Sequence, residues 1–437
     1  MKADHIFNLA DELVFSRTGK HLDDLQRIIL EGTLQGKKYA QIATENQYSD
    51  NYIKESASEL WQVLSEVMGE GIKKSNFRTT FERIQFSNIS HLFNKDLIHI
   101  GDVNFCSNTQ NKNPQEAFLW TNNIPPINTF YGRTEELKIL ENWIKENRLI
   151  VIAGLVGIGK TYLSLKLIKQ VQNQFDFIIY RNLSDFATLK DLQYDLLESL
   201  DATQTKKDLR IALLEHLRTH SGLIILDDGQ SLFRSQRLAG EYQPQHKEYC
   251  TFFELIGKTY HKSCIIFNTW DIPREVIKLI ADHHPVKLLN LTGMDENARE
   301  ILKEQGLSDN EQWSNLIALY QGNPLWLKLA ATLIKDVFSG RVSQYLEGHL
   351  VLPEDLKALL TMQFERLTET EKITLVWLSE EDNPLTITQI LNKGSISRSE
   401  LSNTLQSLLR RFLVEKQEDG ETYFTISPII KEYCLIV

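Results

Sequence analysis

The sequence predicts a parallel α/β sheet of five strands, with a helical domain before it and helical segments that end in a hairpin after it. Three observations carry this expectation: five short apolar runs alternating with helical stretches, a Gly-rich turn between the first run and a helix, and apolar residues at three- and four-residue steps on either side. At 437 residues the chain has room for several domains, each with its own core. Hydrophobic residues make up 42% and charged residues 24%, proportions that exclude disordered, collagen-like and disulfide-scaffold classes. A net charge of -10 works against electrostatic binding to bulk nucleic acid or an anionic membrane. Cys106, Cys250, Cys264 and Cys434 are scattered without C-x-x-C spacing and read as reduced thiols. No run approaches the roughly 18 apolar residues of a membrane span. The opening MKADHIFNLADELVF carries acids where a signal peptide needs a bare apolar stretch, so the chain is expected in the cytoplasm, without a membrane partner.

Taken in order, residues 1–103 read as a helical adaptor domain. Within it, KKYAQIATENQYSDNYIKESASELW has helix-turn-helix spacing, with a tight turn near Gln47 and Tyr48 and Ser49 as N-cap of the second helix. Residues 104–128, rich in Asn, Gln and Pro and without a period, read as a linker. The α/β domain spans 129–293, with strands at LIVIA (149–153), FIIY (177–180), LIILD (223–227), CIIF (264–267) and VKLLNL (286–291). Residues 294–353 form a helical subdomain. From 354 to 437, helices run into two β-prone stretches around Gly420, which suggests a winged helix. There is no internal repeat of fixed period.

The strongest chemical signal is Gly154-Leu-Val-Gly157-Ile-Gly159-Lys160-Thr161, placed between the strand LIVIA and the helical run YLSLKLIKQV. This is a P-loop in the context it requires. Its glycines let backbone N–H groups converge on phosphate, the helix N-terminus adds its dipole, Lys160 reaches the β and γ phosphates, and Thr161 can ligate Mg²⁺. Tyr162 follows and joins the nucleotide-binding set. The strand LIILD ends in Asp227 and Asp228, a Walker B pattern in which Asp227 serves the Mg²⁺ and Asp228 polarises an attacking water. Because FIIY precedes this strand and CIIF follows it, an extra strand is expected between the two motifs in the sheet, the arrangement of the AAA-like branch of P-loop NTPases.

With these motifs in place the chain resembles the STAND NTPases of the NB-ARC type, in which bound nucleotide holds or releases a signalling protein. Tyr131-Gly132-Arg133-Thr-Glu135-Glu-Leu137 looks like the motif of that family which approaches the adenosine. Gly322-Asn-Pro324-Leu325 resembles its G-x-P motif, whose Pro stacks on adenine. LAGEYQPQHKEYCTFFELIG and HKSCIIF look like a bacterial subfamily that often continues into WD40 repeats, and the N-terminal region looks like its vWA-MoxR-associated helix-turn-helix adaptor. The resemblance implies an ADP-held closed form and an ATP–Mg²⁺ open form able to assemble into homo-oligomers. WD40 repeats are absent from these 437 residues, so the sensing domain is expected on another chain or lost.

Two departures bear on mechanism. Where the family has a sensor Arg after the fourth strand, this sequence reads Asn268-Thr269-Trp270-Asp271, so hydrolysis is expected to be slow or absent, with Arg181 and Arg274 as substitutes to weigh. The family's Met-His-Asp lock falls on Ile426-Ser427-Pro428, where Ser427 would donate more weakly than His. Of the helix-turn-helix residues, Asn51, Lys54 and Ser58 would face a DNA groove, but Asp50, Glu55 and Glu59 beside them would repel phosphate. Protein docking is therefore favoured over nucleic acid. The alternative function is a nucleotide-regulated transcription regulator that binds DNA through a helix-turn-helix or winged-helix unit.

Overall fold

A computed structural model of the chain describes residues 22–34, 37, 39–46, 48–68, 119–120, 129–200, 202, 208–348 and 350–436. It falls into two compact units, Met1–Asn111 and Lys112–Val437. In the first, α1 (Asp24–Leu34), α2 (Tyr39–Glu45) and α3 (Asp50–Met68) bury Ile29, Leu30, Ile42, Ile53, Leu60 and Leu64 against one another. Ser49 Oγ accepts from Tyr52 N at 3.2 Å and caps α3, as the sequence suggests. The Trp61 indole lies in this core with its N–H satisfied by Tyr39 OH at 2.8 Å. Gln47 and the adaptor segment 69–103 lie outside the described residues.

The second unit is built on a parallel sheet of order β1-β3-β4-β5-β2-β6. Its strands are β1 (Leu119–Trp120), β2 (Leu149–Ala153), β3 (Phe177–Asn182), β4 (Gly222–Asp227), β5 (Cys264–Thr269) and β6 (Val286–Asn290). The last five start on or within a residue of the apolar runs. β1 is a difference from expectation: the segment read as linker contributes an edge strand, with Leu119 opposite Phe177 and Trp120 opposite Ile178. Two residues are too few to show a period, so neighbouring strand pairing rather than local pattern places them.

Alternate residues of the strands feed two apolar layers. Ile150, Ile152, Ile225 and Ile266 meet α4 (Thr134–Glu146) and α5 (Lys160–Val171) on one face. Val151, Ile179, Ile224 and Phe267 meet α6 (Leu189–Ser199), α7 (Leu209–Thr219), α8 (Glu248–Lys258) and α9 (Arg274–Ala281) on the other. Covering both faces explains why β2, β4 and β5 read as continuous apolar runs. β5 lies between β2 and β4, so it separates the P-loop strand from the acidic strand. The register sets Ala153 beside Thr269 and Asn182 beside Asp227, which brings the C-terminal strand ends together. That edge is where open α/β sheets bind ligands.

After the sheet come four helices, α10 (Arg299–Glu304), α11 (Trp313–Leu319), α12 (Pro324–Val337) and α13 (Val342–Leu346). The C-terminal segment follows with α14 (Glu354–Phe364), α15 (Glu369–Ser379), β7 (Leu385–Thr386), α16 (Ile387–Leu391) and α17 (Arg398–Arg410). It ends in the hairpin β8 (Glu415–Asp419) and β9 (Glu421–Thr425), then α18 (Pro428–Ile436). β7 joins the hairpin in an antiparallel sheet of order β7-β9-β8, and Gly420, with φ +70°, makes its turn. This segment docks on the loops after β4 and β5: Ala239 N donates to Ser407 Oγ, Ile272 N to Arg410 O, and Gln236 N to Arg366 O. Among the described residues no helix is long and apolar enough to cross a membrane.

Candidate nucleotide-binding site

β2 delivers the chain to the C-terminal edge of the sheet, and the turn Gly154–Gly159 passes it into α5 at Lys160. Gly157 has φ +78° and Gly159 φ +102°, backbone states that L side chains rarely adopt. Gly154 is needed for space instead, because a Cβ there would stand 2.6 Å from Leu291 O. The loop therefore presents backbone N–H groups and the positive end of a 12-residue helix at one place. Lys160 is buried, and its Nζ donates to Gly154 O at 2.9 Å and Leu155 O at 3.0 Å. Burial pushes its pKa down to about 8, against the pull of Asp227, Asp228 and Asp271 toward the charged form. Thr161 and Tyr162 begin the same helix, Thr161 half-buried and Tyr162 exposed.

Asp227 is buried at the end of β4, where its Oδ2 accepts from Tyr180 OH at 2.7 Å and its Oδ1 from Asn268 Nδ2 at 3.1 Å. Asp228 has φ +57°, a left-handed state that surrounding contacts must impose on a non-Gly residue. Its Oδ2 accepts from Asn182 Nδ2 at 2.7 Å and its Oδ1 from Gln230 Nε2 at 2.8 Å. Burial and the neighbouring Asp227 raise its pKa, and the two amide donors and Lys160 oppose the rise. Asn268, fully buried on β5, also accepts from Ser164 Oγ at 3.0 Å and so bridges α5 to the acidic strand. Sequence reasoning passed over Asn182, Gln230 and Asn268. A polar residue closing the otherwise apolar run CIIF was the available signal for the last of them.

Two further segments reach the P-loop. Arg133, with φ +59°, precedes α4, and its Nη2 donates to Ile158 O at 3.0 Å and Thr292 O at 2.6 Å, while Nη1 pairs with Glu136. Gly132 beside it has φ +55°, and a Cβ there would press on Asn297. From the other side, Asn323 Nδ2 donates to Val156 O at 2.9 Å and Leu325 N to Gly157 O at 3.3 Å. Asn323 Oδ1 caps α12, of which Pro324 is the first residue. Gly322 has φ +61°, and a Cβ would stand 1.8 Å from Met294 O, so this turn needs glycine twice over. Gly132, Arg133 and Pro324 are thus gathered with the P-loop.

Ser427 Oγ accepts from Ile430 N at 3.2 Å and caps α18, so its hydrogen bond goes to its own helix. Trp270 is buried under the guanidinium of Arg366, 5.5 Å from the ring centroid. Arg181 is committed to Asp195, Ser199 and Tyr180 O, and Arg274 to Ala239 O. None of these contacts of Arg181 and Arg274 is to the P-loop. Among the described residues no group of three or more His, Cys, Asp or Glu could hold a metal alone. Mg²⁺ in phosphate sites uses one or two protein oxygens plus the substrate's phosphates, and the Thr161 hydroxyl and Asp227 carboxylate are of that donor type.

Parts of the chain are similar to known families and proteins. Residues 1–84 match the family described as vWA-MoxR associated protein N-terminal HTH, and residues 144–261 match the AAA domain family. The uncharacterized WD repeat-containing protein alr2800 of Nostoc sp. is 36% identical over 351 residues, 73% of this chain; the chain spans 28% of that relative's length. Among solved structures, the Walker-type ATPase PABY2304 of Pyrococcus abyssi is 15% identical with a TM-score of 0.49, covering 70% of this chain and 96% of that one. The STAND protein PH0952 of Pyrococcus horikoshii, which carries a tetratricopeptide repeat sensor, is 23% identical with a TM-score of 0.35, covering 71% and 43%. With the P-loop and strand order, the family match over residues 144–261 makes that part of the chain a P-loop domain of the AAA type, preceded over residues 1–84 by a region that matches the vWA-MoxR-associated N-terminal helix-turn-helix family.

Proposed function

We propose that the chain is an ADP/ATP-binding switch of the NB-ARC kind in signalling or defence, with an ADP-held closed form, an ATP–Mg²⁺ open form able to self-assemble, and slow or absent hydrolysis. One observation carries the reading: the P-loop is gripped by Arg133 before α4 and by Asn323 and Leu325 at the start of α12. Phosphates bound there would lie where the sheet and the following helices meet, so binding energy can act on their arrangement. We read the C-terminal helices and hairpin as a winged helix whose docking on the loops after β4 and β5 is the closed state. The nucleotide site comprises Gly132, Arg133, Gly154, Gly157, Gly159, Lys160, Thr161, Tyr162 and Pro324, and Ser427, which caps its own helix in the docked arrangement, is the candidate for a further contact from the C-terminal segment. Thr161 and Asp227 would hold Mg²⁺, and Asp228 would polarise the attacking water. For the first unit we favour a protein partner, since exposed Asn51, Lys54 and Ser58 alternate with exposed Glu55 and Glu59 on α3.

The test is to denature the purified protein, identify released nucleotide by chromatography, and compare small-angle scattering with ADP and with ATP–Mg²⁺. Stoichiometric ADP and a larger radius of gyration with ATP are expected; equal scattering curves would sink the switch and leave a nucleotide-binding scaffold.

Lys160 supplies a second check. With its folded pKa lowered from 10.5 to about 8, it is largely neutral above that pH in the free protein. Phosphate oxygens would restore the ammonium, so binding should take up protons between pH about 8 and 10 and weaken as pH rises through that window. Calorimetry in buffers of different ionisation enthalpy measures the uptake. A buffer-independent binding enthalpy at pH 9 would contradict it.

A further inference from the structure

The turn after Asp228 is tied to the C-terminal segment by one side chain. Gln230 Nε2 donates to Asp228 Oδ1 at 2.8 Å, and the Gln230 carbonyl accepts from Arg366 Nη1 at 3.0 Å. Arg366 lies between α14 and α15; its Nη2 donates to Asp271 Oδ2 at 2.8 Å, and its own carbonyl accepts from Gln236 N at 2.8 Å. The loop that carries Gln230 is thus held by the side chain and the backbone of the same residue. Arg411 extends the connection, pairing with Asp271 at 3.4 Å and Glu371 at 3.1 Å, and Glu371 accepts from Ser407. An unbroken chain of polar contacts therefore runs from Asp228 through Gln230, Arg366 and Asp271 to the helices that dock on the sheet.

Both oxygens of Asp228 are taken by side-chain amides, one from Asn182 and one from Gln230. Gln230 sits in a single 3₁₀ turn, Gly229–Leu232, too short to fix its side chain by itself. Its backbone is anchored from outside by Arg366. We propose that Arg366 is a positioning residue for ATP hydrolysis: by gripping the Gln230 carbonyl it keeps the Gln230 amide on Asp228 and restrains that carboxylate until the C-terminal segment lets go. This rests on the switch reading above, in which Asp228 acts on the attacking water. In the released form Asp228 accepts that water's proton as the new O–P bond forms and the bond from the γ-phosphorus to the bridging oxygen breaks, giving ADP and inorganic phosphate. The coupling gives the docked form slow turnover for a local reason other than the lack of an arginine at position 270.

Gln230→Ala removes the amide and leaves the carbonyl that Arg366 holds. Arg366→Lys keeps a cation for Asp271 but loses the planar fork that reaches two acceptors. Single-turnover hydrolysis of ATP–Mg²⁺ by the full chain should rise about tenfold in either variant, the worth of one hydrogen bond to a charged group, with ATP affinity unchanged. The double variant should show no further rise, because both changes cut one relay. Hydrogen exchange over residues 229–242 should quicken in Arg366→Lys, while residues 354–436 stay protected in Gln230→Ala. Turnover that is unchanged, slower or undetectable in both variants while ATP still binds would overturn the relay alone, as would independent effects in the double variant. Failure of the unaltered chain to bind ATP or ADP would overturn the switch reading, and the relay with it.

Discussion

Lys160→Ala should lower ATP affinity by about a hundredfold or more, two charge-assisted hydrogen bonds to the β and γ phosphates being worth roughly 3 kcal/mol together, and ADP affinity by about tenfold or more, since only the β contact is then lost. The same change should leave the fold intact. In the free protein the Lys160 ammonium is buried and bonded to two neutral carbonyls of its own loop, Gly154 O and Leu155 O. Its pKa is depressed, so the unfolded chain binds the proton more tightly, and Lys160 opposes folding in full below about pH 8 and progressively less up to its unfolded value of 10.5. Removing the side chain removes that opposition, and the thermal midpoint without nucleotide should be no lower than that of the unaltered protein. Co-purified nucleotide measured after denaturation, together with a melting curve, separates the two effects. A variant that loses nucleotide only because it has lost its fold would show the lowered midpoint and contradict the assignment of Lys160 to phosphate.

The sheet was legible because its chemistry is local. β2 reads LIVIA and β5 begins CIIF since both faces of a central parallel strand are covered, and the P-loop glycines sit at positions whose φ values or neighbours demand them. The grip of Asn323 on Val156 O was half legible: GNPL could be read as a motif, yet the residue that makes the contact is the Asn between the Gly and the Pro. Asn182, Gln230 and Asn268 were not legible. Each acts through a partner dozens of residues away in sequence or through a turn whose shape depends on the docked C-terminal segment, and an isolated amide in a strand or loop carries no period or spacing to announce it. The two-residue β1 failed for a related reason, since only the edge of β3 defines it. The charges at Asp271, Arg366, Glu371 and Arg411 look like ordinary surface residues in sequence, and only the fold, which buries Asp271, Glu371 and Arg411 and half-buries Arg366, makes them a network.

That burial sets the second large effect. Asp271 is 2% exposed and accepts from both Arg366 and Arg411. Asp271→Ala would leave two guanidinium groups beside each other without their shared carboxylate, with Glu371 as the remaining partner for Arg411. Burial lowers the pKa of Arg366, Asp271 opposes that and Arg411 adds to it, so Asp271 is the main attraction that compensates a guanidinium held charged in this site. Breaking one partner out of a buried ion pair costs about 3–5 kcal/mol, far more than the net worth of the intact pair, because the penalty is that of the stranded charge. The loss should appear as undocking of residues 354–436, seen as faster hydrogen exchange there and a lowered first unfolding transition in urea, while the sheet keeps its protection. The exposed pair Lys138–Glu135 supplies the contrast: solvent screens it on α4, and Lys138→Ala should leave the transition where it was. Asp271→Asn keeps an acceptor of the same shape without the charge and should fall between the two. If Asp271→Ala matched Lys138→Ala, the four charges would hold nothing together, and the docking of the C-terminal segment would have to rest on apolar contacts such as Phe412 against the sheet core.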